Sequence, residues 1–212
     1  EIAGYYRPGH ADYTFDEKYG FRDYRGGGRS SGRETIGRVA AGAVAVKLLG
    51  QMGIELYAYA SAIGGIAMDR DSFNLEERDN NPFAMPDAGA ALRIKKYADR
   101  KLEECNSMGG IIECVVKNMP AGIGEPVFDK LDANLAKAIM SIGAVKGVEI
   151  GDGFAAADST GLENNDAFRM KDGHIVKQTN HAGGILGGMS DGSDIILRAA
   201  VKPTPSIAAT QH

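Results

Sequence analysis

The sequence is poor in cysteine and has no long apolar run. Its two cysteines, Cys105 and Cys114, are too few for a disulfide scaffold and do not form the Cys-x-x-Cys spacing of a metal site. We therefore expect both thiols to be free and packed, as in a reducing cytoplasm. No apolar stretch approaches the roughly 20 residues that a membrane-spanning helix needs, and no charged-then-apolar leader opens the chain.

A strong charge of either sign is also absent. The formal net charge is -4 over 212 residues, and no long basic run occurs. This argues against a dedicated nucleic-acid or membrane-surface protein, but a local cluster would still suit a small anionic ligand. No His, Cys and carboxylate cluster has the spacing of metal ligands, so we predict no structural zinc. The length favours a single domain, residues 1–212.

Glycine, in contrast, is abundant, at 29 of 212 residues. Four glycines and three arginines are concentrated between Arg25 and Glu34, immediately before a helical pattern. Ser31 and Glu34 have the S-x-x-E spacing of a capping box, which predicts a helix start at Ser31. Because free N–H groups at a helix start and nearby guanidinium groups both attract anions, we interpret this loop as an anion site. The alternative is a flexible loop with solvated arginines; a P-loop is disfavoured, because its lysine and spacing are missing.

Apolar spacing predicts both helices and strands. The helices are expected over residues 36–49, 87–105 and 131–142. The strands are expected over residues 54–60, 111–117, 145–150 and 195–201. Without strict βαβ alternation, this pattern favours an α+β fold with mainly antiparallel sheets and helices packed outside. The charged segment Asp69–Asp79 is predicted to be a mobile or variable insertion, and residues 158–180 a polar loop.

Two histidines and one proline-rich segment are open to more than one interpretation. His10 follows the turn Pro8-Gly9, so it is a candidate proton donor or acceptor near neutral pH, or an ordinary loop histidine. His181 has the same two interpretations, because the glycines after it are also typical of a tight strand entry. The run Lys202-Pro203-Thr204-Pro205-Ser206 suits a bound phosphate and equally suits a strand exit.

The combination of motifs is more specific than any one of them. Blocks in a fixed order, spread over nearly the whole chain, closely resemble chorismate synthase: Arg7-Pro8-Gly9-His10-Ala11-Asp12, Arg22-Asp23-Tyr24-Arg25-Gly26-Gly27-Gly28-Arg29-Ser30-Ser31-Gly32-Arg33-Glu34-Thr35, Gly147-Val148-Glu149-Ile150-Gly151-Asp152-Gly153-Phe154, Asn180-His181-Ala182-Gly183-Gly184-Ile185-Leu186-Gly187-Gly188 and Lys202-Pro203-Thr204. An unrelated phosphate-binding module would require this order to be a coincidence.

The resemblance implies a lyase that converts 5-enolpyruvylshikimate 3-phosphate to chorismate by anti-1,4-elimination of phosphate in the shikimate pathway. It implies reduced FMN as cofactor, a cytoplasmic homotetramer, and a β-α-β sandwich of two antiparallel sheets packed face to face with helices outside. The resemblance does not decide whether the parent protein itself reduces the flavin with NADPH.

The resemblance also implies roles for particular residues. His10 would tune protonation at the reduced flavin, and Arg33 would bind the phosphate or carboxylate of the substrate. The implied FMN contacts are Arg29, Ser30, Ser31, Gly143, Ala144, Gly187, Lys202, Pro203, Thr204, Pro205 and Ser206.

The family's N-terminal Gly-Glu-Ser-His-Gly motif and C-terminal Arg-His-Asp motif do not occur here. We therefore expect the chain to be a piece of a longer enzyme, inactive or nearly so alone, because catalysis needs both proton-handling groups. The alternative is a non-catalytic, self-associating core, for which the Ala/Gly-rich helix and the Tyr57-Tyr59 strand would provide either packing or a subunit interface.

Overall fold

The computed structural model describes residues 2–211; Glu1 and His212, the ends of the predicted domain, lie outside the described residues. The helices are α1 Asp12–Tyr19, α2 Thr35–Gln51, α3 Ala88–Glu103, α4 Leu131–Met140 and α5 Gly161–Asn164. The strands are β1 Glu55–Ile63, β2 Ile66–Ala67, β3 Gly110–Lys117, β4 Val145–Ile150, β5 Phe168–Lys171, β6 His174–Lys177, β7 Ile185–Leu186, β8 Met189–Ser190 and β9 Ile195–Val201.

Five strands form one antiparallel sheet in the order β2-β1-β3-β9-β4. The other strands form two ribbons, β5-β6 and β7-β8. The predicted α+β class with antiparallel pairing is confirmed. The expected sandwich has two large sheets, and residues 2–211 form only one of them.

One face of the sheet packs against α3 and the segment before it. Asp87 begins α3, because its side chain accepts a hydrogen bond from Ala90 N at 2.9 Å. The apolar stripe of α3, represented by Ile94, then packs with Tyr59 and Val115 of the sheet. Tyr59 is 3% exposed, so it belongs to this core and does not form an open interface.

The opposite face packs against α4 and the β7-β8 ribbon. Val116 follows Val115 on β3 and therefore points to this other side. It forms a second core with Ile185 and Ile195, and Leu131 and Leu135 of α4 pack against that core. The sheet thus has helices on both of its faces.

Helix α2 has no buried residue along its whole length. Its apolar side chains are exposed to solvent: Ile36 is 78%, Val44 70% and Leu48 59% exposed. A helix that is apolar on most sides normally lies inside a core. The described residues do not provide that cover, apart from packing around Leu49 at its last turn. None of the helices in residues 2–211 meets the length and hydropathy that crossing a membrane requires.

Three local predictions are corrected, the first of them only in part. The helix start at Ser31 is confirmed in part: its side chain accepts from Arg33 N at 3.3 Å and caps a 3₁₀ turn, Gly32–Glu34, which leads directly into α2 at Thr35. The full capping box does not form. The segment predicted to be a mobile insertion is fixed by Arg70, which binds the buried Glu113. The predicted polar loop contains α5 and the β5-β6 hairpin; we call residues 153–177 the excursion.

Candidate functional site

An ion-pair clamp holds the loop that carries His10. The Asp12 carboxylate accepts hydrogen bonds from Arg7 N, Nε and Nη2 at 3.0, 2.9 and 2.7 Å. Arg22, whose side chain is 8% exposed, places Nη1 3.6 Å from the same carboxylate. The hydrogen bonds from the Arg7 side chain hold the pKa of Asp12 well below its usual range. His10 was predicted as a site residue, whereas no sequence signal pointed to this clamp.

The His10 ring has a defined tautomer in this loop. Its Nδ1 lies 2.9 Å from Pro8 O, and a carbonyl oxygen can only accept, so Nδ1 carries a hydrogen. In the neutral ring Nε2 is then an acceptor, and Ser206 Oγ donates to it at 3.0 Å. Protonation of Nε2 would reverse that contact. Nε2 is therefore the ring atom that can take up or release a proton.

The segment after β9 packs directly on this loop. Lys202 Nζ donates to Gly9 O at 2.8 Å, and Lys202 N donates to Ala144 O at 2.9 Å. Gly9 has φ +69°, and a Cβ on it would lie 2.8 Å from Cβ of Pro205, so the close approach requires glycine. The structure thus brings together His10, Ala144, Lys202, Pro205 and Ser206, which lie far apart in the sequence.

The remaining residues of these two runs are neighbours of the same cluster. Gly143 precedes Ala144, which has a left-handed φ of 72°. Pro203 and Thr204 continue the chain from Lys202, and Thr204 O accepts a hydrogen bond from Ser107 Oγ at 2.6 Å. We call the cluster formed by residues 9–10, 143–144 and 202–206 the histidine cluster.

The arginine-rich loop is closed mainly by its own hydrogen bonds. Arg33 Nη2 donates to Gly26 O at 2.6 Å, and Ser30 Oγ donates to Gly27 O at 2.8 Å. Arg29 is 87% exposed at its side chain and pairs with Glu34 Oε1 at 3.0 Å. The loop therefore presents a guanidinium group with free donors to the surface, as an anion site requires.

Arg38 connects helix α2, which follows this loop, with the end of α4. It lies in the first turns of α2 and donates from Nη2 to Ser141 O at 3.2 Å and to Ser141 Oγ at 3.1 Å. Ser141 stands two residues before Gly143. The sequence contained no local signal for this contact, because its partners are 103 positions apart.

Gly187 lies elsewhere. It forms the β7-β8 turn with Gly188, whose carbonyl oxygen accepts from Leu131 N at 2.7 Å at the start of α4. Ala144 follows the other end of that helix. Because α4 has 10 residues, it separates the two positions by about 15 Å at 1.5 Å per residue.

His181 belongs to a different group of polar residues. Its Nδ1 is 2.6 Å from Asp152 Oδ2, and Asp152 N donates to His181 O at 2.9 Å. The backbone of this loop is held by Asp166, which accepts from His181 N at 2.8 Å. These contacts lie near the end of β4, whereas Ala144 precedes its beginning. They fix the loop that leads to β7.

The chemical capacity of the site is cationic and protic. Arg29, Arg33 and Lys202 supply positive donors, the serines supply hydroxyl groups, and His10 supplies an exchangeable proton. Such a set suits a phosphate-bearing ligand. Among residues 2–211, no three His, Cys, Asp or Glu side chains are grouped so as to hold a metal ion.

Comparison with known proteins agrees with these motifs. The sequence model of the family described as chorismate synthase matches residues 1–212. A chorismate synthase of Lachnospira eligens is 68% identical over 212 residues, which are 100% of this chain and 58% of that protein. One of Agathobacter rectalis is 65% identical with the same coverage.

A solved structure supports the fold. A crystal structure of chorismate synthase is similar with a TM-score of 0.84 and 33% identity, covering 92% of this chain and 64% of that one. The chain thus spans 58% of the length of the curated relatives described above.

Proposed function

This chain belongs to the chorismate synthase family, and from that membership we propose that the protein containing it eliminates phosphate from 5-enolpyruvylshikimate 3-phosphate to give chorismate. In reaction terms this is a carbon–oxygen lyase that removes a phosphate and a ring hydrogen. The single structural observation that supports the proposal best is the contact between His10 and the segment 202–206. It joins a proton-handling group to a cationic, hydroxyl-rich segment.

Reduced FMN is the cofactor that we propose for this site. The donors fit its anionic phosphate tail: Arg29 is largely exposed, and Lys202 Nζ makes one hydrogen bond, which leaves further N–H donors. When bound, reduced FMN would supply electron density that assists loss of the allylic phosphate. The residues proposed to hold it are Arg29, Ser30, Ser31, Gly143, Ala144, Lys202, Pro203, Thr204, Pro205 and Ser206.

Gly187 is a proposed FMN contact that lies apart from the histidine cluster. The length of α4 separates it from Ala144. We therefore propose Gly187 only as a contact at the far edge of the site.

The role proposed for His10 is to hold a proton at Nε2. The clamp around Asp12 fixes the loop, and the Nδ1 contact to Pro8 O fixes the tautomer. The Nε2 atom is thereby presented toward Ser206 and the cofactor contacts. Proton transfer by a positioned histidine is a general way to raise a rate, typically 10²–10⁴-fold.

Arg33 is proposed to bind the phosphate or carboxylate of the substrate. One of its N–H groups is engaged with Gly26 O. The guanidinium group has five N–H donors in total, so others remain for an oxyanion. A fork of two N–H groups would give the substrate a defined orientation.

We propose that residues 1–212 alone are inactive or nearly so. The chain covers 58% of its curated relatives, and α2 lacks the cover that an apolar helix needs. The second candidate function is therefore a self-associating core without catalysis. We also propose that the intact protein is cytoplasmic, since Cys105 and Cys114 are free thiols. From the family membership we propose that it is a homo-oligomer.

Flavin titration with fluorescence detection tests the cofactor proposal on this chain. We expect weak but saturable binding, weakened at least several-fold in Arg29→Ala because a phosphate donor is lost. Arg169→Ala is the matched control, since Arg169 is also an exposed arginine but lies on the β5-β6 hairpin. Absence of saturable binding up to millimolar FMN would refute the proposed site in this chain.

A turnover assay with reduced FMN and substrate tests the activity separately. The intact parent should turn over, and its His10→Ala variant should lose most of the rate. Residues 1–212 should show little or none. A rate for this chain comparable with that of the intact parent would overturn the proposed inactivity.

A further inference from the structure

The chain contains three aspartates that are directly followed by glycine: Asp152, Asp172 and Asp191. Such a pair can rearrange, because glycine has no side chain to shield its amide nitrogen from the carboxyl group of the preceding residue. The rearrangement requires a carboxyl group that is free to turn toward this nitrogen and a backbone that can follow it. The surroundings of the three carboxyl groups therefore decide which pair can react.

Two of the three carboxyl groups are held in place. Asp191, whose side chain is 7% exposed, accepts from Lys177 Nζ at 2.7 Å and from Ser193 N at 2.9 Å. Asp152 Oδ2 lies 2.6 Å from His181 Nδ1. Each of these carboxyl groups would have to break its contacts before it could reach the nitrogen of the following glycine.

Asp172, in contrast, lies at the tip of the β5-β6 hairpin, in the last part of the excursion. Lys171 pairs with His174, so Asp172 and Gly173 form a two-residue turn. Their φ values are 52° and 78°, and a turn with positive φ at both positions is the kind that Asp-Gly favours. Asp172 is exposed, and within residues 2–211 its carboxylate makes neither a hydrogen bond nor an ion pair.

The surroundings of this turn are open. A Cβ on Gly173 would meet no heavy atom within 4 Å. Farther along the ribbon Met170 pairs with Ile175, and these side chains, 70% and 72% exposed, form an apolar face without a partner in the described residues. A two-stranded ribbon of this kind is only marginally stable by itself, so its turn can sample other conformations. The Asp172 carboxyl group can therefore approach Gly173 N.

We propose that Asp172 is a site of spontaneous backbone modification, at which the Asp172-Gly173 linkage converts to an isoaspartyl linkage. Gly173 N attacks Cγ of the protonated carboxyl group; the N–Cγ bond forms, the Cγ–O bond breaks, and the hydroxyl group leaves with the amide hydrogen as water. Water then adds to the main-chain carbonyl carbon of the resulting five-membered imide, and the C–N bond at that carbon breaks. The water released in the first step is balanced by the water consumed in the second, and nothing is oxidised or reduced.

The product would no longer fit the turn. The chain would then run through Cγ of Asp172, which adds one carbon atom to the backbone of a two-residue turn. Because turn length and type fix the register of a hairpin, the pair Lys171 and His174 would be lost first. The base of the hairpin would stay in place, since Lys177 donates to Asp166 Oδ2 at 3.0 Å at the other end of the ribbon.

This inference goes beyond the proposed reaction, because the rearrangement requires neither flavin nor substrate. Prolonged incubation of the intact parent in its native state, followed by peptide mapping with electron-transfer fragmentation, tests it, since this fragmentation distinguishes the two linkages at equal mass. We expect isoaspartate to accumulate at Asp172 at least about tenfold faster than at Asp152 or Asp191, where hydrogen bonds must first open. In the urea-unfolded protein the three rates should agree within about threefold, because these contacts are gone.

Gly173→Ala should slow the reaction at Asp172 at least about tenfold, because its methyl group shields the attacking nitrogen. Gly192→Ala is the matched control, since Gly192 also follows an aspartate and has a positive φ of 90°. It should leave the rate at Asp172 unchanged within about twofold, while circular dichroism verifies the fold of both variants. Accumulation in the native protein that is no faster at Asp172 than at the other two positions would overturn the proposal. So would a wild-type rate in Gly173→Ala.

Discussion

Arg70 donates two hydrogen bonds to the carboxylate of Glu113, from Nη1 at 2.6 Å and from Nη2 at 2.5 Å. Glu113 is 1% exposed at the centre of β3, where Tyr59 of β1 also donates to it. Phe73 packs edge-on against the same Tyr59 ring. The charged segment Asp69–Asp79 is therefore fastened to the middle of the sheet.

Replacing Arg70 should release this segment. In Arg70→Ala the buried carboxylate loses two charge-assisted hydrogen bonds, which we expect to cost about 2–3 kcal/mol of the free energy of unfolding. Arg78→Ala is the control, because Arg78 pairs with the exposed Asp79 and should change stability by at most about 0.5 kcal/mol. Urea unfolding measures both, and amide exchange should accelerate at residues 69–79 in Arg70→Ala alone. Equal effects of the two variants would contradict the anchoring role.

Acid should destabilise the protein through carboxylates whose pKa the fold depresses. Hydrogen bonds from the Arg7 side chain lower the pKa of Asp12. Burial alone would raise the pKa of Glu113, but hydrogen bonds, above all from Arg70, lower it below its usual value. A carboxylate whose pKa is lower in the folded state stabilises the fold at pH values above its pKa in the unfolded state, which is about 3.9 for Asp and 4.3 for Glu. This stabilisation is lost as the pH falls toward the pKa in the folded state. We therefore expect the free energy of unfolding to decrease as the pH is lowered below about 4.

Asp12→Asn tests which group is responsible. This variant should be less stable than wild type at pH 7, and its loss of stability between about pH 5 and pH 3 should be smaller, since one titrating group is gone. Asp79→Asn is the control, because Asp79 is exposed and its ion pair with Arg78 is solvated. Urea unfolding across this pH range gives the slopes. An unchanged slope in Asp12→Asn would contradict the clamp.

Periodicity identified the elements that form the cores. The stripe of α3, the alternation of β1 and the apolar runs of β3 and β9 are all consequences of burial, so they are visible in the sequence. Helix α1 was missed because its side chains are mostly polar or aromatic and only Asp12 is buried. The hairpin was missed because its apolar face has no partner in the described residues, so it gives no core signature.

The candidate site was predictable only in part, because its residues are brought together by contacts between distant positions and not by periodicity within one element. The residues of the histidine cluster were named through a family resemblance, since the contact of His10 with Ser206 joins positions 196 apart. Spacing rules describe neighbours on one element and do not report such contacts. The capping box at Ser31 failed for a local reason: Glu34 pairs with Arg29, so it is not free to reach back to the helix start.

Gly151 is a position where a single methyl group should be costly. It has φ +57°, and a Cβ there would lie 2.1 Å from His181 O. In Gly151→Ala we expect about 1–2 kcal/mol from the left-handed backbone and about 1–3 kcal/mol more from the clash. Gly173→Ala, at φ +78° with open space around it, should show the backbone cost alone. Thermal and urea unfolding measure the difference; equal costs would mean that the backbone at His181 gives way.

The buried charge at the base of the hairpin gives the sharpest test of how that ribbon is held. In Lys177→Met the apolar side chain fills a similar volume, but Asp166 and Asp191 lose their common cation in a site where Lys177 and Asp166 are 2% exposed. Breaking a buried ion pair in this way typically costs about 3–5 kcal/mol, because an uncompensated charge remains. Lys171→Met, on the exposed strand β5 of the same hairpin, should stay within about 0.5 kcal/mol of wild type.

Burial opposes ionisation of Asp166, yet hydrogen bonds from Ala182 N, Thr179 and Lys177 hold its pKa below the usual range. Without Lys177 part of that support is lost, so the pKa of Asp166 should rise. The stability deficit of Lys177→Met relative to wild type should therefore shrink as the pH falls below about 4, where carboxylates take up protons. Urea unfolding at pH 7 and at lower pH measures this deficit. A deficit that does not depend on pH would show that Lys177 acts through packing and not through its charge.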